Sequence, residues 1–230
     1  MKKLLVMFAL AFAAAQAAGP SYTAHRTTAS KASLLAADQA SWKPAQVITW
    51  GPAPYQTSFR ALWNETGLYV RFDSDDTNPW STMTKRDDHL WEEEVVEIFL
   101  DITGKGYDYA EFEVNPANVI CDVRMARPAP NPSSDLTWNM ENLESNVIRN
   151  EKGWVALLYL PWDGFKTLPG VTASHVPPKP GKAWRFNVFR IKRPNGPKDP
   201  ETGAIFAAWS PTGQRSFHVP AAFREFVFRP

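Results

Sequence analysis

Asp87-Asp88-His89-Leu90-Trp91-Glu92-Glu93-Glu94-Val95-Val96-Glu97-Ile98-Phe99-Leu100-Asp101 begins acidic, passes a tryptophan and ends in alternation. Side chains along a strand point to opposite faces in turn, so Val96, Ile98 and Leu100 go one way and Val95, Glu97 and Phe99 the other. The first set reads as core. The second set puts a carboxylate beside aromatic surface, which calls for a structural or a binding role.

The same pattern recurs on both sides. Phe59 to Trp63 reads as a strand, Asn64-Glu65-Thr66-Gly67 as a hairpin connection, and Leu68 to Phe72 as its partner, with Tyr69 and Arg71 outward. Tyr107 to Asn115 repeats the design of Glu97: Phe112 and Val114 face one way, Glu111 and Glu113 the other. Pro116 ends it, because proline cannot donate to a ladder. Further strands are predicted at 46–49, 119–125, 143–149, 154–160, 184–192, 204–209 and 225–228. The segment 154–160 is apolar on both faces, as a buried central strand should be. These strands predict an all-β chain, a single antiparallel β-sandwich (jelly-roll-like) over residues 36–230 with long Pro/Gly-rich loops.

Composition narrows the function classes. The 25 Lys and Arg nearly balance 24 Asp and Glu, so no single-sign field exists to attract nucleic acid or an anionic membrane. Ten Trp, 14 Phe and 20 Pro suit short strands and many loops better than a helical bundle. The single cysteine, Cys121, excludes an intramolecular disulfide framework. Lys2-Lys3, the apolar run Leu4 to Ala14 and Ala15-Gln16-Ala17 read as a signal peptide over 1–17, and hence as export. Residues 18–35 read as a flexible lead, and no later run approaches the ~20 apolar residues of a membrane span.

His25, His89, His175 and His218 show no metal-ligand spacing, and no GxSxG elbow is present. Asp73-Ser74-Asp75-Asp76-Thr77-Asn78 offers hard oxygen ligands suited to calcium, but lacks the glycine and terminal glutamate of an EF-hand loop. A solvated acidic loop is the plainer alternative. Glu97 can share a face with Glu111 or Glu113, and Arg71 or Arg190 could supply the cation that such like charges require. A salt-bridged sheet surface would look the same. Trp63, Trp154, Trp162 and Trp184 sit in apolar alternation and read as core. Trp80, Trp91 and Trp209 flank polar loops, where an indole face can stack on a sugar ring while carboxylates and guanidinium groups satisfy the hydroxyls.

Taken in order, several segments resemble the family 9 carbohydrate-binding modules: Phe59 to Trp63, Gly67 to Phe72, Trp91 to Asp101, Phe112-Glu113-Val114-Asn115, Gly153-Trp154 through Pro161-Trp162, Trp184 through Arg190, Trp209-Ser210-Pro211 and Phe217 through Pro220. The resemblance spans about 42–228. It implies a β-sandwich that clamps a terminal sugar of an oligo- or polysaccharide between two tryptophans, Trp91 and Trp209, with Glu97 as the hydrogen-bonding glutamate. It also implies structural calcium, for which Asp73, Asp75 and Asp76 are the candidates. One position departs from the pattern: sugar-binding members carry an arginine where this chain has Glu113, which exchanges a five-donor guanidinium for an acceptor-only carboxylate. Cello-oligosaccharide specificity is therefore not carried over. The expected ligand set is Trp91, Glu97, Trp209, Glu113, Arg71 and Arg190, in a secreted non-catalytic carbohydrate-binding domain. Two alternatives stand beside it. One is b-type haem binding through Met83, Met125 or Met140 with His89 or His218. The other is hydrolysis of O-glycosyl compounds by the acidic face.

Overall fold

The computed structural model describes residues 19–127, 131, 133–198 and 203–230; the expected signal peptide at 1–17 lies outside them. The first strands are β1 (Tyr22–Arg26), β2 (Ile48–Trp50), β3 (Thr57–Trp63), β4 (Gly67–Asp75), β5 (Val95–Asp101), β6 (Tyr109–Val114) and β7 (Ile120–Arg127). They are followed by β8 (Ser133–Asp135), β9 (Glu144–Asn150), β10 (Gly153–Pro161), β11 (Ala183–Lys192), β12 (Ile205–Ala208) and β13 (Arg224–Arg229). Their hydrogen bonds run in the order β8-β7-β6-β5-β11-β13-β1-β3-β4-β10-β9, with β12 added to β11 and β2 to β3.

The sheet curls so that its two halves share one core. Phe59 and Phe72 from one half and Ile98, Phe112 and Phe186 from the other are all fully buried in a single apolar cluster, and Phe59 meets Phe186 with ring centroids 5.9 Å apart. The alternation predicted for β5 holds: Val96, Ile98 and Leu100 enter this core. Val95 and Phe99 enter a second cluster on the outer face, with Tyr109, Cys121, Phe189 and Phe217. The predicted two-faced burial of β10 holds as well. Trp154, Ala156 and Leu158 face the main core, while Leu157 and Tyr159 lie under a cap formed by Leu34 and Trp42. That cap comes from two short helices, α1 (Lys31–Leu35) and α2 (Gln39–Trp42), each begun by a side chain that accepts an orphan backbone N–H, Ser30 from Ser33 and Asp38 from Ser41.

The β3–β4 connection is built as its residues suggest. Asn64 Oδ1 accepts from the backbone N–H of Thr66 at 2.9 Å and of Gly67 at 3.3 Å. Gly67 allows a close approach there, because a Cβ would lie 2.5 Å from the Tyr159 ring and 2.6 Å from the Leu160 carbonyl.

Two expectations need correction. The lead is not a flexible segment: it contains β1, which pairs in parallel with both β13 and β3 and joins the two halves of the sheet. The sandwich is consequently mixed rather than purely antiparallel. Small polar residues hid β1, yet Tyr22 and Ala24 are fully buried, and the Tyr22 hydroxyl donates to Gln46 O at 2.8 Å and accepts from Ala61 N at 2.6 Å. Among the described residues, no helix is long and apolar enough to cross a membrane.

Candidate ligand-binding cleft

Strand register assembles the site. Glu97 on β5 stands directly opposite Glu113 on β6, and Phe99 opposite Glu111, so all three glutamates project from one face at neighbouring positions. The flanking strands present no cation there. On β11 the residue paired with Glu97 is Phe189; on β7, Cys121 pairs with Glu113 and Val123 with Glu111. Carboxylate oxygens of the three glutamates lie within 4.8 Å of one another. All three are buried, Glu113 completely.

Burial pushes all three carboxyls up from the ordinary range. The charge of Glu111 adds to this at Glu97, and those of Glu97 and Glu111 add to it at Glu113, while His218 acts in the opposite direction at Glu111. Three carboxylates this close and this dry cannot all be ionised without a compensating cation. Among the described residues, no hydrogen bond of good geometry reaches Glu97 Oε1 or either oxygen of Glu113, although the Trp91 backbone and the Glu111 carboxyl act on Glu113.

Above the glutamates lies a cleft of about 620 Å³ whose lining includes Trp91, Glu97, Glu111, Phe206, Phe217 and His218. Trp91 is carried by a 3-10 turn, Leu90–Glu92, immediately before β5. Leu90 is buried and anchors the turn, and the Trp91 ring stacks on His89 with centroids 4.5 Å apart. Glu93 ties the preceding loop to this turn by accepting from Ser81 Oγ at 2.9 Å, Thr82 N at 2.8 Å, Met83 N at 3.2 Å and the Thr82 hydroxyl. Burial works to raise the Glu93 carboxyl, but these bonds outweigh it and hold it below its usual range. On another wall, the His218 ring stacks on Phe99 at 5.1 Å and its Nδ1 lies 3.0 Å from the Tyr109 hydroxyl. Arg193 and Arg215 also line the cleft.

The structure brings Trp91, Glu97 and Glu113 together and separates the rest of the expected set. Trp209 does not line the cleft: its ring packs on Phe186 at 5.1 Å, against the main core. Strand parity is the reason. Phe206 pairs with Ile191 and Ala208 with Phe189 on β12 and β11, which places Phe206 on the cleft side and Ala207 and Trp209 on the core side. Phe206, not Trp209, is therefore the aromatic of this segment beside the cleft; its alternation with Ala208 was the available signal. Phe217, Arg193 and Arg215 carried no such signal, because they come from loops that only the fold brings here.

Neither expected arginine reaches the glutamates. Arg71 lies on the other half of the sheet, bonded to Asp73 Oδ1 at 2.6 Å. Arg190 pairs with Val96 and so has opposite parity to Glu97; it is buried with Asp76, Nη2 to Oδ2 2.7 Å. Two of the three aspartates of the acidic segment are held in ion pairs. Asp73 is held by Arg60 and Arg71, Asp76 by Arg190 and Lys192, and Asp75 is exposed. Of the residues weighed for haem, Met125 and His218 line the cleft, Met140 is buried in the main core, and Met83 packs on the outer cluster.

Comparison with known proteins agrees with this architecture. A crystal structure of a candidate carbohydrate-binding protein from Bacteroides uniformis superposes with TM-score 0.67 at 16% identity, covering 91% of this chain and 99% of that one. A family 9 carbohydrate-binding module from Caldicellulosiruptor kristjanssonii in complex with cellotriose gives 0.61 at 12% identity, covering 91% and 94%. A module of the same family and organism in complex with glucose gives 0.55 at 14% identity, covering 82% and 86%. In sequence, a protein named "Extracellular protein" from Arthroderma benhamiae is 27% identical over 179 residues, 75% of this chain and 78% of that one. The profile of the carbohydrate family 9 binding domain-like family matches residues 36–225, nearly the whole described chain, and the chain belongs to that family.

Proposed function

We propose that this protein is a secreted, non-catalytic carbohydrate-binding domain that seats a sugar in the cleft between Trp91 and the Phe206–Phe217 wall. The observation that carries the reading is the joint placement of Trp91 and Glu97 in one cleft of a family 9-like sandwich. An indole supported from behind by His89 offers an apolar platform for the C–H face of a sugar ring. Glu97 and Glu111 offer acceptors, and Arg193 and Arg215 offer donors, for its hydroxyls. The sugar complexes of the related modules and the extracellular relative support binding and export.

The carboxylate geometry favours binding over hydrolysis. Glycoside hydrolysis places two carboxyl groups on either side of the scissile bond, ~5–10 Å apart. Here Glu97, Glu111 and Glu113 rise from one sheet face with oxygens within 4.8 Å, so they stand together on one side of any bound sugar. Affinity electrophoresis of the mature protein through gels containing soluble plant and microbial polysaccharides tests the reading, with a glycan array as a second screen. Retardation by at least one glycan, abolished in Trp91→Ala, is expected. Retention of binding in that variant would overturn the site, and absence of binding to every glycan would overturn the function.

A further inference from the structure

We propose that Glu97, Glu111 and Glu113 hold a hard divalent cation, of the Ca²⁺ or Mn²⁺ class, at the floor of the cleft. The argument begins with charge. Three carboxylates sit on one sheet face with oxygens within 4.8 Å of one another, and the strand partners around them are Phe189, Cys121 and Val123. The arginines weighed as counter-ions are engaged elsewhere, Arg71 with Asp73 and Arg190 with Asp76; Arg193, Arg215 and His218 line the cleft with Glu97 and Glu111, while Glu113 does not line it.

The second observation is independent of the clustering. Glu113 is completely buried, and no hydrogen bond of good geometry reaches either of its oxygens among the described residues, the Trp91 backbone and the Glu111 carboxyl being the groups that act on it; Glu97 Oε1 also lacks a bond of good geometry. A folded protein rarely leaves a buried carboxylate without donors, because the desolvation cost goes unreturned. An ion supplies the missing partner. Oxygen ligands at 2.0–2.6 Å from a common centre stand no more than about 5 Å apart, which is the spacing found. All-oxygen, triply anionic coordination selects hard divalent ions over thiophilic ones.

Position separates an ion from an organic cation. Glu97 and Glu111 line the cleft, whereas Glu113 lies behind them and does not. A bare ion reaches all three oxygens, while the ammonium of a larger ligand would meet only the front two. The ion's remaining coordination positions then face the cleft, where a vicinal pair of hydroxyls could occupy them. That last step rests on the carbohydrate reading; the ion itself does not.

Isothermal titration and thermal unfolding of EDTA-treated, dialysed protein with CaCl₂, MnCl₂ and MgCl₂, in the absence of any glycan, test the proposal. Expected are binding of one cation per chain and a rise in Tm of roughly 5–10 °C at saturation. Glu113→Gln should weaken that binding at least about tenfold, since ligand charge sets affinity. Its effect on stability should also reverse sign: more stable than wild type in EDTA, where one buried like charge is gone, and less stable than wild type in saturating cation. Two outcomes would overturn the proposal. One is no cation response in the wild type, with Glu113→Gln more stable in every buffer, which would mean that the carboxyls share protons instead. The other is undiminished cation binding in both Glu113→Gln and Glu97→Gln, which would place the ion elsewhere. Because no glycan is present, failure here leaves the carbohydrate reading to its own test.

Discussion

Glu97 and Glu113 face each other across adjacent antiparallel strands, both buried, with no lysine or arginine on the strand positions that flank them. Like charges directly opposite on neighbouring strands destabilise a sheet unless something intervenes. Glu97 lines the cleft that also holds Trp91, and Glu113 lies behind it, so cost and function meet at the same position.

Trp91 and Trp209 should behave differently on substitution. Trp91→Ala removes the platform and should weaken glycan binding more than tenfold, the loss expected of a central aromatic anchor worth about 2 kcal/mol or more. Trp209→Ala should leave binding within about twofold but cost roughly 2 kcal/mol of stability by opening space against Phe186. Parallel affinity electrophoresis and urea denaturation would show the split. Equal loss of binding in both variants would restore Trp209 to the site.

A buried ion network sets a pH dependence. Glu94 contacts Lys192 at 2.5 Å, and Lys192 and Arg190 both contact Asp76. Burial raises the Glu94 carboxyl to about 7; Lys192 opposes that rise and Asp76 adds to it. The folded state thus holds a proton that the unfolded chain, near 4.5, releases. Between about 4.5 and about 7 the native state binds more protons, so stability should fall as pH rises through that window. A shift of this size corresponds to roughly 3 kcal/mol. Thermal melts from pH 4.5 to 8 should show a shallower decline in Glu94→Gln than in wild type; identical slopes would refute the assignment.

Strand β1 should be integral to the fold. Tyr22→Ala removes a fully buried ring packed against Phe59 and Phe226, together with hydrogen bonds to Gln46 and Ala61. Its expected cost is about 3–5 kcal/mol. Tyr22→Phe should cost only about 1–2 kcal/mol, because the ring stays and the hydroxyl goes. Urea denaturation curves of both variants measure the difference, and near-wild-type stability of Tyr22→Ala would return the lead to a flexible segment.

Gly153→Ala should destabilise strongly although it adds a single methyl group. A Cβ there would stand 1.9 Å from the Ser74 carbonyl oxygen, in the β4–β10 ladder, and 2.7 Å from the Asp76 amide, which donates to the Lys152 carbonyl at 2.8 Å. A loss of at least about 2 kcal/mol is expected, read as a lowered urea midpoint. A midpoint unchanged from wild type would mean that the ladder gives way easily.

Alternation made most of the strands legible. The faces of β5, the two-sided burial of β10 and the Asn64–Gly67 connection follow from residue type and period alone, since side-chain direction is fixed by strand geometry. Strand β1 escaped because five residues carry too little alternation to stand out. Its burial depends on β13, almost the whole chain away.

The site divides along the same line. From the sequence came the common face of Glu111 and Glu113 on one strand, the outward parity of Glu97 on another and the polar-loop setting of Trp91, which are local properties, while the reversal of charge at Glu113 came from the family resemblance. Only the tertiary structure decided which groups surround them. It turned Trp209 toward the core and Phe206 toward the cleft. It paired Arg71 and Arg190 with aspartates of the other half of the sheet, and it gave the glutamates apolar strand partners with Arg193, Arg215 and His218 around the cleft. The reason is physical: a strand's own period determines which side chains share a face, but register and curvature between distant strands determine what that face meets.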